Sequence, residues 1–240
     1  MAGHSKWANI KYRKGRADAA KGKVFTRITK EIISAVKQNG SDPKTNSKLR
    51  LALEKARIAN MPNDNIERNI KKASSADQAD YSALTYELYG HNGVGIIVEA
   101  MTDNKNRFAS EMRIATNKKG GAIASPGAVV FNFDRKGVIQ VAKKDAIEDE
   151  LFLLATDAGA EDFDVSDELF MIITPPDQLY EVKKKIEAQG VKCLEANLEM
   201  LPKSYVSCSA EMASANMELI EWLENLDDVD EVFHNMTTEN

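Results

Sequence analysis

The chain has 240 residues, of which 43% are hydrophobic and 29% charged, with two cysteines and a formal net charge of −5. That length holds two or three small domains with cores of their own, and the composition is that of an ordinary soluble protein. No apolar run is long enough to cross a bilayer, which excludes a membrane-spanning class.

The opening Met1-Ala2-Gly3-His4-Ser5-Lys6 is followed by no apolar stretch, so no secretory signal is expected and the expected compartment is the cytoplasm. Cys193 and Cys208 lie in apolar, strand-like contexts and read as buried thiols. The charge is segregated. Residues 1–72 carry eighteen Lys/Arg against six Asp/Glu, a net of +12, while the remainder carries 14 against 31, a net of −17. A basic segment on an acidic body points to a polyanion as partner.

Residues 1–15 interleave cations and aromatics: Lys6-Trp7, then Lys11-Tyr12-Arg13-Lys14. Such an arm can track a phosphate backbone while Trp7 or Tyr12 stacks on a base. The competing role for Trp7 is to staple the arm, with Ile10, onto the helices behind it.

Val24 to Gln38 is predicted helical from Phe25, Ile28, Ile32 and Val36, with Asn39-Gly40 as its stop. Asn46 to Asn60 is predicted as a second helix, with Leu49, Ala52, Leu53, Ala56 and Ala59 in one apolar stripe. Lys48 and Lys55 flank that stripe on one side, Arg50 and Arg57 on the other. Leu51 and Ile58 fall on the reverse face and predict a second packing partner. Asn63 to Ala73 is the third helix, with Pro62 before it and Asp64 and Glu67 as a capping pair. Residues 74–80 have neither periodicity nor positive charge and read as a linker that ends a basic helical domain, residues 1–76.

Beyond it, strands and helices alternate. Leu84–Tyr89 and Val94–Met101 read as strands joined through Gly90-His91-Asn92-Gly93, and Asn104–Lys118 as a helix capped by Thr102 or Asp103. Val129–Phe133 is predicted as a strand and Asp134-Arg135-Lys136-Gly137 as a tight connection. Residues 138–200 then read βαββαβ, the split ferredoxin-like unit. Tyr205–Ser209, Ala213–Leu226 and Val229–Phe233 add a strand, a helix and a strand. The fold class expected is therefore α+β multidomain: a basic helical domain followed by two ferredoxin-like α/β domains, one inserted in the other. Residues 135–202 form the insertion, and residues 81–134 with 203–240 form the domain around it.

No catalytic constellation emerges. Gly15 to Lys23 has the wrong spacing for a phosphate loop, and Val24 stands where a magnesium-holding hydroxyl is required. Gly90 to Gly95 precedes a strand instead of opening a helix, so it is no dinucleotide fingerprint. The histidines and cysteines show no metal-ligand spacing. The acids Glu221, Glu224, Asp227, Asp228, Asp230 and Glu231 read as a solvated helix end and turn. Asp103-Asn104-Lys105-Asn106-Arg107 sits at a strand-to-helix junction, where Asp103, Asn104, Asn106 and Arg107 can contact an anion or a partner, or merely cap the helix. The expectation is a non-enzymatic chain with no cofactor, no metal and no small-molecule substrate.

Met1 to Lys11, with Asn46-Ser47-Lys48-Leu49-Arg50 and Asn60-Met61-Pro62-Asn63-Asp64-Asn65-Ile66-Glu67-Arg68, resembles the YebC/PmpR family. Thr102 to Arg107, Gly120-Gly121, Ala158 to Asp162 and Asp227-Asp228-Val229 carry the resemblance through the whole chain. Leu88, His91 and Ala122–Pro126 depart from the family pattern. The resemblance implies three domains and a cytoplasmic regulator of gene expression without catalytic activity. Members are described as DNA-binding transcriptional regulators, and others, including a mitochondrial relative, act in translation at the ribosome. The partner that the resemblance implies is thus DNA, or ribosomal or transfer RNA bound through the same arm at the ribosome. The residues expected to touch nucleic acid are Lys6, Trp7, Lys11, Tyr12, Arg13, Lys14, Lys48, Arg50, Lys55 and Arg57. A third class is a protein-interaction scaffold using the acidic lobes.

Overall fold

The computed structural model describes residues 17–73 and 80–238. Three helices come first: α1 Ala17–Asn39, α2 Ser47–Ile58 and α3 Asn63–Ala73. They are followed by β1 Ser82–Tyr89, β2 Gly95–Thr102, α4 Lys105–Lys119 and β3 Ala122–Ile123. Then come β4 Phe133–Ala142, α5 Glu148–Ala158, β5 Asp162–Val165, β6 Leu169–Thr174, α6 Leu179–Ala188 and β7 Cys193–Pro202. The chain closes with β8 Val206–Cys208, α7 Ala210–Glu224, β9 Val229–His234 and β10 Met236–Thr238.

The three N-terminal helices share one core. Ile28, Ile32 and Val36 of α1 meet Leu49, Ala52 and Ala56 of α2 and Ile66 of α3, as their helical spacing dictates. Buried Asn46 fixes the corner between α1 and α2. Its Oδ1 accepts from Leu49 N–H at 3.0 Å, and its Nδ2 donates to the carbonyls of Ala35 and Gly40, each at 2.8 Å. One amide thus caps α2 and closes α1. Leu51 is 43% exposed, so the second partner expected for its face is not found among the described residues. The Ile58 side chain and the arm before residue 17 lie outside them.

A four-stranded antiparallel sheet follows, in the order β3-β1-β2-β9. Helices α4 and α7 cover one face, packing Phe108, Met112, Leu219 and Leu223 against Leu88, Ile96 and Val98. Ile97 and Phe233 on the other face lie under Val129 and Phe133. Strand β2 is therefore apolar on both faces. Strands β8 and β10 pair in parallel beside it.

Residues 133–202 form a second four-stranded sheet, ordered β5-β6-β4-β7 with every pairing antiparallel. With α5 and α6 this is the expected βαββαβ unit. Its core joins Ile139, Val141, Phe170 and Ile172 to Leu151, Leu179, Val182 and Ile186. The class is the mixed α+β one anticipated from element order.

Two local expectations fail. Val129–Phe133 is not a strand: residues 130–132 form a 3-10 turn, and the edge of the first sheet is β3 instead. The cause is Glu87, whose carboxylate accepts the backbone N–H groups of Gly127, Val129 and Val130 at 2.6–2.7 Å. Burial would raise this carboxyl, and the three amides hold it below its usual range. Nor do residues 134–137 turn; they run straight inside β4, paired with Met200 and Glu199 of β7. Gly137 is small because Thr174 Oγ1 and Leu179 crowd it: an added Cβ would stand 2.8 Å from Leu179 Cβ.

Candidate nucleic-acid interface

The cations of the helical segment fall into two groups. Lys48, Arg50 and Arg57 on α2 and Arg68, Lys71 and Lys72 on α3 are exposed. Lys48 Nζ donates to Gln38 Oε1 at 2.7 Å, a neutral partner that leaves its charge available. Lys55 is drawn inward instead, with its Nζ 2.9 and 2.8 Å from the two oxygens of Glu31. Its charge is neutralised in place, which separates it from Lys48, Arg50 and Arg57. Lys6, Trp7, Lys11, Tyr12, Arg13 and Lys14 lie outside the described residues.

Arg27 and Lys30 make the second group, facing the first sheet. Arg27 Nη1 donates to Glu231 Oε1 at 3.0 Å, its Nε lies 3.2 Å from Glu31, and its Nη2 lies 3.9 Å from Glu99. Burial alone would depress this guanidinium, but Glu231, Glu31, Asp230 and Glu99 together raise it. Glu99 also takes Arg135 of β4 at 2.7 Å, so one carboxylate joins cations from α1 and β4. Lys30 is 8% exposed, and its Nζ donates to the carbonyls of Met101 at 3.0 Å and Asp227 at 3.1 Å. Asp228 Oδ1 lies 3.5 Å away. A buried ammonium needs such a cage, because unpaired it costs several kcal/mol.

The segment 103–107 completes this clasp. Asn104, not Thr102 or Asp103, caps α4: its Oδ1 accepts from Asn106 N–H at 3.2 Å and Arg107 N–H at 3.0 Å. Thr102 Oγ1 accepts from Asn104 N–H and donates to Asp228 Oδ2 at 2.8 Å. Arg107 Nη2 reaches Asp103 at 2.8 Å and Asp228 at 2.6 Å, and both bonds raise its pKa. Asp228 is buried, which pushes its carboxyl up, yet Arg107, Thr102 and Lys30 hold it below its ordinary value. In this geometry Arg107 is committed to two carboxylates.

These side chains line a pocket of about 530 Å³ between α1 and the first sheet, with Tyr81 on its wall. It holds Asp103, Asp227, Asp228 and Asp230 against Arg27, Lys30 and Arg107, so its formal balance does not favour an anion. Asp230 is raised to about 6, by burial first, with Glu31 and Glu231 adding and Arg27 and Lys30 opposing. The acids after α7 are thus not the solvated turn expected from their run: Asp228 and Glu231 pair with Lys30 and Arg27 of α1, and Asp230 lies partly buried beside them. The sequence signal was the meeting of two opposite charge excesses, which composition shows but register alone could pair. Tyr180 of α6 also faces the helical segment; burial, then Glu31 and Glu54, raise its hydroxyl to about 12.

Among the described residues no group of His, Cys, Asp and Glu could hold a metal ion. No helix among them is long and apolar enough to cross a membrane.

Known proteins are similar to this chain along its length. The family described as "TACO1/YebC protein N-terminal domain" matches residues 5–76, and that described as "TACO1/YebC second and third domain" matches residues 81–236. A probable transcriptional regulatory protein of Protochlamydia amoebophila is 68% identical over 236 residues, covering 98% of this chain and 96% of its own. One from Chlamydia pneumoniae is 57% identical over 238 residues, covering 99% and 100%. The crystal structure of a conserved hypothetical protein from Aquifex aeolicus superposes with a TM-score of 0.78 at 40% identity, covering 93% of each chain. The helical segment, the two sheets and the matches to both parts of the chain agree: this protein belongs to the TACO1/YebC family.

Proposed function

We propose that this chain is a non-enzymatic regulator of gene expression that binds nucleic acid through residues 1–76, a basic helical domain. The two α/β units, residues 81–134 with 203–240 and the inserted 135–202, act as its acidic body. The observation that carries this reading is the split of +12 against −17, together with the exposed cations Lys48, Arg50, Arg57, Arg68, Lys71 and Lys72 on α2 and α3. The basic arm, with Lys6, Trp7, Lys11, Tyr12, Arg13 and Lys14, is assigned to the same surface. Arg27, Lys30 and Lys55 are left to hold the domain in place. The family's name for its curated relatives supports a transcriptional role and hence DNA in the cytoplasm.

A second reading is RNA and the ribosome, bound through the same basic domain. It is supported by the sequence of the three helices, which carries no recognisable helix-turn-helix pattern, and by exposed cations that can follow a phosphate backbone of either nucleic acid. Asp103, Asn104, Asn106 and Arg107 are proposed to serve the clasp between domains, an internal partner contact. Crosslinking in cells followed by sequencing of the bound nucleic acid tests both readings. Promoter DNA supports the first, ribosomal or transfer RNA the second, and recovery of neither overturns both.

A further inference from the structure

A second pocket, of about 250 Å³, opens on the helical domain between α1 and α3. Its apolar lining is half-buried Phe25 and buried Met61. The rest of its lining is polar: Thr26, Thr29, Asn65, Arg68 and Asn69. Asn65, Arg68 and Asn69 are spaced i, i+3, i+4 on α3, so they share one face of that helix. Phe25 and Thr29 share one face of α1 by the same rule.

The chemistry of this lining differs from that of the larger pocket. It contains no carboxylate, one cation, two amides, two hydroxyls and an aromatic ring. Asn69 Nδ2 donates to Thr29 Oγ1 at 3.0 Å, which orients the amide and leaves its oxygen as an acceptor. The side chains of Asn65 and Arg68 make no hydrogen bond or ion pair among the described residues. A half-buried aromatic ring, amide donors and acceptors and an exposed cation match a planar heterocycle with a phosphate attached. Unpaired bases are recognised in this way, by stacking and by hydrogen bonds to their exposed edges.

We propose that the Phe25–Met61–Asn65–Arg68 pocket takes one unstacked nucleobase of a single-stranded segment, with Arg68 on its phosphate. The proposal rests on the reading that the helical domain binds nucleic acid, and it deepens that reading. The exposed rows on α2 and α3 can follow a backbone of either strandedness, whereas this pocket admits only a base that has left its stack. The domain then prefers loops and single strands over perfect duplex.

The test uses the full chain with 4-thiouracil-bearing RNA and 4-thiothymine-bearing DNA single strands, and matching duplexes. The expected result is a photo-crosslink to Phe25 or Met61 from the single strands. Asn65→Ala and Arg68→Gln are each expected to weaken single-strand binding about five- to tenfold and duplex binding less. Both positions are at the surface of α3, and circular dichroism checks that the helices persist. Crosslinks elsewhere, with both variants binding single strands as tightly as the parent, overturn the pocket while leaving the interface standing. Binding of no oligonucleotide by the parent chain overturns the interface and the pocket with it.

Discussion

Glu99 and Glu231 stand directly opposite each other across β2 and β9. Like charges in that position repel, and the pair is tolerated because Arg27 from α1 reaches both, at 3.9 and 3.0 Å. The sheet therefore carries a local excess of negative charge that Arg27 of the helical domain relieves, together with Arg135 of β4 on Glu99. Arg27→Gln is expected to lower stability by about 1.5–3 kcal/mol, the range for hydrogen bonds to charged groups. Glu231→Gln in the same chain should recover part of that loss, because neutralising one partner removes the repulsion between the pair. Chemical unfolding of the two single variants and the double variant measures the coupling; strictly additive losses would refute it.

Asp228 sits where Lys30, Thr102 and Arg107 converge. Removing its charge strands a buried ammonium, so Asp228→Asn should cost roughly 3 kcal/mol. Lys30→Met combined with Asp228→Asn should be less damaging than Asp228→Asn alone, since an apolar side chain needs no counter-charge. Thermal melts of these chains decide the matter, and a double variant worse than the single would argue against the cage.

Asp230 gives the clasp a pH dependence. Its folded pKa is raised from 3.8 to about 6, so the folded state holds the proton more tightly than the unfolded one. Between pH 3.8 and about 6 this group makes stability fall as pH rises, and the loss is complete above that window. Asp228 is depressed and acts in the opposite sense, its contribution vanishing as pH falls through its folded value. Asp230→Asn should therefore be more stable than the parent at pH 7, by about 1–2 kcal/mol after allowance for solvent screening. The gap should close towards pH 4. Urea midpoints of both chains across that range measure it, and a constant gap would count against the cause given.

Gly137→Ala should destabilise the inserted unit by about 1–3 kcal/mol, the usual cost of overpacking. The new methyl would press on Thr174 Oγ1 and on Leu179. A chain carrying it that unfolds at the parent's urea midpoint would show that α6 yields freely.

Sequence reading reached the helices and the inserted unit because their apolar residues recur at clean spacings, as with Ile28, Ile32 and Val36. It misplaced residues 129–137 because Val129 to Phe133 looks like a strand to any local rule. The decisive partner is Glu87, some forty positions earlier, whose carboxylate gathers the loop amides. Gly137 was mistaken for a turn for the same reason: its crowding comes from Leu179, far along the chain. The charge excess on residues 1–72 was legible, but its division was not. Nothing near Lys55 in sequence reveals that Glu31 takes it, whereas Arg50 and Arg57 remain exposed. Nor does the run of acids after α7 disclose that Asp228 is buried.

The most direct measurement is the salt dependence of nucleic-acid binding by the full chain, with and without Arg50→Gln and Arg57→Gln. Each phosphate contact that is lost lowers the slope of log K against log salt by about 0.7 to 0.9. The double variant should therefore bind more weakly at low salt, with a slope shallower by about 1.5. Unchanged affinity and an unchanged slope would contradict an interface on α2.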